Sequence, residues 1–227
     1  IDFLNWFSEY NLVPLGMALK LHLLSGKAFE KLKNSEYQKY QIETKKEQFN
    51  LSFHQEKIFK ELIKSDNLFR VHLLQGTTGS GKTIVYFKAI EKIISRAKQS
   101  LILLPEIGLT GEFEKKFKNF FGFEAAVWHS KITPKRKKII WSGLASGEIK
   151  VVIGARSALF LPFQKLGLII VDEEHDQSFK QDEGVTYNAR DMAIARANSE
   201  NIPINLVTAV PSIDTFANIK NKKYSFS

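Results

Sequence analysis

The chain has 227 residues, of which 44% are hydrophobic and 25% are charged, and its formal net charge is +9. This length suits one α/β core with a small appendage and excludes two full lobes, and no apolar run is long enough to cross a bilayer. Because the sequence has no cysteine, a disulfide framework and a cysteine zinc site are excluded within these residues, in keeping with a reducing, cytoplasmic setting. The positive charge favours polyanionic partners without identifying them.

The N-terminal part of the chain divides into two segments. Residues 1–25 mix aromatic and aliphatic side chains around a turn signal at 14–16, and residues 26–50 form a polar, charged segment that we interpret as a linker. Because the first residue is Ile1 and no secretory signal pattern follows it, we expect the chain to be an internal piece of a longer protein.

From residue 51 to residue 227 the pattern predicts alternating strands and helices. Short apolar runs predict buried strands at 71–74, 101–104, 151–153, 168–171 and 204–207. Helical periodicity is present at 55–64, 83–97, 111–120, 134–146 and 189–198. This alternation is typical of an α/β fold with a mostly parallel sheet that is covered by helices on both faces.

A phosphate-binding loop is predicted at 76–83. The sequence GTTGSGKT fits G-x-x-x-x-G-K-[ST] and lies between a predicted strand and a predicted helix. In such a loop, backbone N–H groups and the helix dipole hold the β-phosphate of ATP, Lys82 reaches the β and γ oxygens, and Thr83 ligates Mg²⁺. The other nucleotide-binding residues predicted in the loop are Thr78, Gly79, Ser80 and Gly81.

A second acidic element follows the fourth predicted strand, in the sequence LGLIIVDEEHD. A P-loop needs such an element at the end of a neighbouring strand. We expect Asp172 to hold the magnesium shell and Glu173 to orient or deprotonate the attacking water. With Lys82, these are the predicted catalytic residues. The alternative interpretation is a solvated acidic cluster that caps the next helix.

Four segments resemble the bacterial replication-restart helicases, a subgroup of superfamily 2. They are LPEIGLT, IGARSALFLPF, VDEEHDQSFKQDEGVTYNARDMA and VPSIDT. The resemblance covers residues 51–227 and implies the first RecA-like lobe, which hydrolyses ATP and moves the enzyme 3′ to 5′ on single-stranded and forked DNA. It also implies primosome proteins and a single-stranded-DNA-binding protein as partners, no membrane, and zinc only in a second lobe. Residues 3–16 resemble the end of the family's 3′-DNA-end-binding domain.

The resemblance assigns roles to further residues. Gln55 matches the glutamine that contacts adenine, with Leu51 and Phe53 beside the base, although an exposed residue at a helix start is the alternative. Loops at 105–110 and 154–157, the latter including Arg156, would face DNA because they follow strands at the carboxyl edge of the sheet.

The segment after the acidic element resembles an aromatic-rich loop that couples DNA to the ATP site. Phe179 and Tyr187 would stack on bases, Lys180 and Arg190 would hold phosphates, and His175 would take part in the coupling. The alternative from composition is that the two aromatic residues are ordinary packing anchors.

Three features stay open from the sequence. The basic run 135–138 is either a DNA contact or a solvated helix face, and His129 is structural or DNA-facing because no catalytic partner is spaced to support it. Val210 and Ala155 replace threonines that are usual in the family. The predicted function is the ATP-hydrolysing lobe of a DNA helicase, and the alternatives are a non-catalytic ATP- and DNA-binding fragment or another DNA translocase.

Overall fold

The computed structural model describes residues 2–23, 36–41, 49–64 and 68–227. Most of the predicted linker at 26–50 therefore lies outside the described residues. Among the described residues, no helix combines the length and apolar character that a bilayer span requires.

A sheet of seven strands forms the centre of the described part of the chain. Its strands are β1 Arg70–Gln75, β2 Gln99–Leu103, β3 Ala126–Trp128, β4 Val151–Gly154, β5 Leu166–Asp172, β8 Pro203–Thr208 and β9 Ser225–Phe226. They lie side by side in the order β3-β4-β2-β5-β8-β1-β9. Every pairing in this sheet is parallel. A separate antiparallel hairpin joins β6 Lys180–Gln181 to β7 Tyr187–Asn188.

Eight α-helices accompany these strands in the described ranges. They are α1 Asp2–Tyr10, α2 Leu15–His22, α3 Phe53–Ile63, α4 Lys82–Ser95, α5 Gly111–Phe121, α6 Pro134–Ala145, α7 Ala189–Ser199 and α8 Ile213–Lys220. Several begin at side-chain caps, including Ser52, Thr110, Thr133 and Ser212, whose hydroxyls accept from the third backbone N–H that follows. The predicted helix bounds agree with the observed ones to within two residues or so.

The sheet separates two apolar clusters, which is why its central strands are buried on both faces. One cluster packs Leu73, Ile169 and Leu206 against α7 and the N-terminal helices, and the other packs Leu74 and Ile170 against α4 and α5. The α/β fold with helices on both faces of a parallel sheet is confirmed. The short strands β3 and β9 and the β6–β7 hairpin were not predicted, because two or three residues carry no detectable period.

The predicted N-terminal appendage packs directly on the sheet domain. The Phe7 ring is completely buried, and it meets the Phe160 and Tyr187 rings edge-on at centroid distances of 5.0 Å and 5.6 Å. Helix α1 therefore shares a core with the hairpin and with the segment after β4.

Strand register brings three loops to one edge of the sheet. Gln75 pairs with Thr208 at the ends of β1 and β8, and Asp172 pairs with Val207 at the end of β5. The P-loop, the acidic element and the segment after β8 consequently emerge side by side, at the carboxyl edge where open α/β sheets bind their ligands.

Candidate nucleotide site and coupling network

The P-loop turns tightly from β1 into α4. Gly79 and Gly81 have φ values of +82° and +86°, a left-handed backbone that favours glycine. A Cβ added at Gly81 would lie 2.4 Å from Gln55 Nε2. A side chain at this position would therefore collide with Gln55 as well as strain the turn.

Lys82 is the first residue of α4 and lies over the loop. Its ammonium donates to the carbonyl oxygens of Gly76 and Thr77, the latter at 3.1 Å. These carbonyls carry no formal charge, so the Lys82 ammonium is held at the loop with its positive charge intact.

Gln55 contacts the P-loop from α3. Its Oε1 accepts from the Ser52 backbone N–H at 3.0 Å, and its Nε2 donates to the Ser80 carbonyl at 3.1 Å. Gln55, which precedes the loop in sequence, therefore contacts it in the folded chain. Phe53, two residues earlier, is 92% exposed. Gln55 thus lies beside the predicted phosphate site, and the adenine contacts of Gln55, Leu51 and Phe53 stay predictions.

Asp172 ends β5 and is held at both carboxylate oxygens. Oδ2 accepts from the Tyr86 hydroxyl at 2.8 Å, and Oδ1 accepts from the Glu173 backbone N–H at 3.0 Å. Burial raises the pKa of Asp172, and the Tyr86 hydrogen bond partly opposes this rise. A buried carboxylate of this kind gains from a nearby cation.

Glu173 follows with a φ of +51°, which is uncommon for a residue with a side chain. Its carboxylate lies 3.7 Å from the His175 Nδ1, and both side chains are more than two-fifths exposed. The same His175 nitrogen lies 2.7 Å from the Thr208 hydroxyl oxygen. Glu173 and His175 are therefore brought together at the carboxyl edge, beside the segment after β8.

Glu174 was not predicted as a functional residue, yet it is the most connected side chain of the acidic element. Its carboxylate is fully buried and accepts from the Ser212 N–H at 2.7 Å, the Ser212 hydroxyl at 3.0 Å, the Thr215 hydroxyl at 2.9 Å and Arg190 Nη1 at 3.1 Å. This cluster ties the acidic element to the start of α8 and to α7. Sequence alone carries no signal for it, because the three partner residues come together only in the fold.

Tyr86 was not predicted as a site residue either, and its hydroxyl contacts Asp172. It lies four residues after Lys82 and three after Thr83 in α4, so all three side chains share one helix face. That spacing was the available signal. Its ring is completely buried.

The predicted aromatic loop is an ordered hairpin whose aromatic side chains point into the core. Phe179 is 1% exposed and Tyr187 is 5% exposed, and burial raises the pKa of Tyr187 to about 12. Neither ring offers a free face for base stacking in this structure, so the packing-anchor alternative is favoured and the stacking role is corrected. Arg190 is likewise buried against Glu174 rather than available to phosphates.

Of the residues predicted to hold DNA phosphates, Lys180 is exposed, Arg156 is half-buried and Arg190 is buried. The Arg156 guanidinium donates to the Lys180 carbonyl, which joins the segment after β4 to the hairpin. In the basic run 135–138, Lys135 is 81% exposed and lies 4.0 Å from Glu36. His129 accepts from the Lys131 backbone N–H at 3.2 Å, a local contact.

The two departures from the family pattern have different surroundings. Ala155 is buried, so a threonine hydroxyl there would face protein. Val210 is 68% exposed, while the neighbouring Thr208 hydroxyl accepts from the Val210 N–H at 3.2 Å and donates to its carbonyl at 2.8 Å. A hydroxyl is therefore present in this segment, two residues before Val210.

Comparison with known proteins agrees with this arrangement. The family model for DEAD/DEAH box helicases matches residues 52–219. The replication restart protein PriA of Rickettsia felis is 41% identical over 230 residues, which covers 99% of this chain and 34% of that protein. PriA of Haemophilus influenzae is 47% identical over 156 residues, covering 69% of this chain and 21% of that protein. Among solved structures, RecG bound to a three-way DNA junction has a TM-score of 0.57 at 19% identity and covers 99% of this chain and 29% of that chain, which shows the fold alone. The chain thus spans about one third of the length of the first of these relatives.

Proposed function

The chain belongs to the DEAD/DEAH box helicase family and is a homologue of part of PriA, and from this premise we propose that it is the ATP-binding lobe of a replication-restart DNA helicase. Its proposed work is ATP hydrolysis coupled to 3′ to 5′ movement on single-stranded DNA and to unwinding at stalled forks in the cytoplasm. Primosome proteins and a single-stranded-DNA-binding protein are its proposed further partners.

One observation carries the proposal: the P-loop and the acidic element meet at one edge of the sheet. The Tyr86 hydroxyl, from the helix that the P-loop opens, lies 2.8 Å from Asp172 of the acidic element. In this arrangement Lys82 would bind the β and γ oxygens of ATP, and Gln55 would contact adenine. Glu173 would orient or deprotonate the attacking water, because its exposed carboxylate follows Asp172 directly.

The residues present fit a magnesium ion. A hydroxyl from Thr83 and a buried carboxylate from Asp172 are the oxygen ligands that P-loop proteins use, and the raised pKa of Asp172 reflects a charge that a cation would stabilise. When bound, magnesium would neutralise phosphate charge that develops during hydrolysis.

Coupling to DNA is proposed to run through the contacts of the acidic element. His175 contacts the Thr208 hydroxyl, and Glu174 contacts Ser212, so the segment 208–212 is held to the predicted hydrolysis site at two points. Arg156 and Lys180 would hold DNA phosphates at the same edge of the sheet.

Nucleotide binding tests the proposal directly. Calorimetry with Mg-ATP should show a clear loss of affinity for Lys82→Ala, because its ammonium would neutralise phosphate oxygens. Lys92→Ala is the matched control, since it makes the same change on an exposed position of the same helix. Equal binding by wild type and Lys82→Ala would refute the P-loop assignment.

Turnover separates an enzyme from a binding module. If the chain hydrolyses ATP in the presence of single-stranded DNA, Glu173→Gln should abolish that turnover while nucleotide affinity is retained. Nucleotide and DNA binding without any turnover would favour the non-catalytic alternative.

A further inference from the structure

Tyr86 touches both residues that would hold the magnesium ion. Its hydroxyl donates to Asp172 Oδ2 at 2.8 Å, and the Thr83 side chain, three residues earlier on the same helix face, lies next to the same phenol oxygen. The ring is completely buried and meets Phe87 edge-on at a centroid distance of 5.3 Å. One phenol oxygen therefore bridges the P-loop helix and the acidic element.

A phenol suits this position better than a charged donor. An ammonium or guanidinium on Asp172 would neutralise the carboxylate and compete with a cation, whereas a neutral hydroxyl leaves its charge intact. The Lys82 ammonium, one turn earlier in α4, is instead held by the carbonyls of Gly76 and Thr77. Because a buried hydroxyl is costly unless it is hydrogen-bonded, packing alone would be met equally well by phenylalanine.

The bridge also fixes geometry. Each carboxylate oxygen has two acceptor positions, so Tyr86 and the Glu173 N–H occupy one position on each oxygen of Asp172 and leave the others for ligands. With both oxygens anchored, rotation of the carboxylate is restricted before any ligand binds. Partners of this kind orient metal ligands in many proteins.

We propose that Tyr86 is a positioning residue that sets Asp172 and Thr83 for the magnesium ion of a bound nucleotide. The proposal rests on the proposed ATP-binding function and extends it to a residue outside the P-loop and the acidic element. Tyr86 touches neither phosphate nor attacking water in this assignment and acts through its two partners.

The test compares nucleotide binding with and without magnesium. Calorimetry with a non-hydrolysable ATP analogue gives one dissociation constant in excess Mg²⁺ and one in EDTA, and their ratio is the gain in affinity from magnesium. Tyr86→Phe should lower this gain about tenfold and leave the EDTA value within about twofold of wild type, because the phosphate contacts of Lys82 do not involve Tyr86.

Tyr40→Phe is the matched control. Tyr40 is 2% exposed, its hydroxyl has no partner within the described residues, and it lines a pocket with Ile94, at the end of α4 opposite to the P-loop. This variant should keep both affinities. Thermal unfolding of both variants checks that each is folded. A loss of affinity by Tyr86→Phe that is equal in Mg²⁺ and EDTA indicates general damage to the site and overturns the proposal, as does an unchanged magnesium gain.

A double-mutant cycle shows whether Tyr86 acts through Asp172. Asp172→Asn alone should lower the magnesium gain, and adding Tyr86→Phe to it should cause a further loss well below tenfold, because only the effect through Thr83 remains. A further tenfold loss would overturn the positioning role. Lys82→Ala distinguishes the two levels of inference: if it binds the analogue as wild type does, the ATP-binding function fails, whereas its expected loss of binding with an unaffected Tyr86→Phe variant refutes the role of Tyr86 alone.

Discussion

Replacing Glu174 with glutamine should be strongly destabilising, although the side chain keeps its shape. The glutamine oxygen can still accept from the Ser212 N–H, and its amide can donate to the hydroxyls of Ser212 and Thr215. Arg190 Nη1 lies 3.1 Å from the native carboxylate. In the variant it would face the glutamine amide, and two donor groups cannot bond to each other. The change therefore removes one buried ion pair and leaves the other contacts nearly in place.

The magnitude follows from the burial of the two partners. The side chains of Arg190 and Glu174 are 8% and 0% exposed, and breaking a buried pair by changing one member costs about 3–5 kcal/mol. Arg190 retains Asp191 at 2.8 Å and Asp214 at 3.4 Å, which places the expected cost near the lower end, at about 3 kcal/mol.

Urea unfolding at neutral pH measures this loss as a lower midpoint at unchanged slope. Asp214→Asn is the control on the same arginine, because its side chain is 78% exposed and an exposed pair contributes about 0–1 kcal/mol. If Glu174→Gln unfolds at the wild-type urea concentration, or costs no more than Asp214→Asn, the buried network does not stabilise the fold as argued.

Three further predictions concern stability, packing and DNA. Burial lowers the pKa of His72 to about 4, so the folded state binds its proton less readily than the unfolded state. The contribution of neutral His72 to the free energy of unfolding should be fully present above pH 6.5 and fall by up to about 3 kcal/mol as the pH drops towards 4. Unfolding measured at a series of acidic pH values should show this fall in wild type and in His54→Gln, whose side chain is exposed, but not in His72→Gln. Phe179→Ala should cost about 3–5 kcal/mol in urea unfolding because the ring is buried, and a loss below 1 kcal/mol would restore the exposed stacking role. Replacing 135–138 by alanine should reduce the slope of single-stranded DNA affinity against salt if the run meets phosphates, and fluorescence anisotropy that finds an unchanged slope assigns it to a solvated helix face.

Local sequence patterns predicted the elements that depend on neighbouring residues. The P-loop could be predicted because the apolar run of β1, the glycine-rich loop and the start of the amphipathic helix α4 lie within about twenty residues of each other. The same holds for Asp172 after the apolar β5. These signals placed the P-loop and the acidic element correctly at strand ends.

Contacts between distant segments could not be predicted in this way. Glu174 meets Ser212 and Thr215 only because β5 and β8 are neighbours in the sheet, and nothing in the acidic run distinguishes its third residue. Phe179 and Tyr187 have a composition that suits either stacking or packing, and only the fold decides that their rings are buried. The packing of Phe7 on Tyr187 is equally remote in sequence.

The place of β1 in the sheet has a consequence for synthesis on the ribosome. Both neighbours of this strand are made after it, because β8 starts at Pro203 and β9 starts at Ser225. At about 5–20 residues per second, β1 waits about 6–25 seconds for β8, and both of its edges are unpaired during that time. Strand edges of this kind recruit foreign strands. Newly made chains should therefore depend on chaperones in this interval, and β9 completes the sheet last.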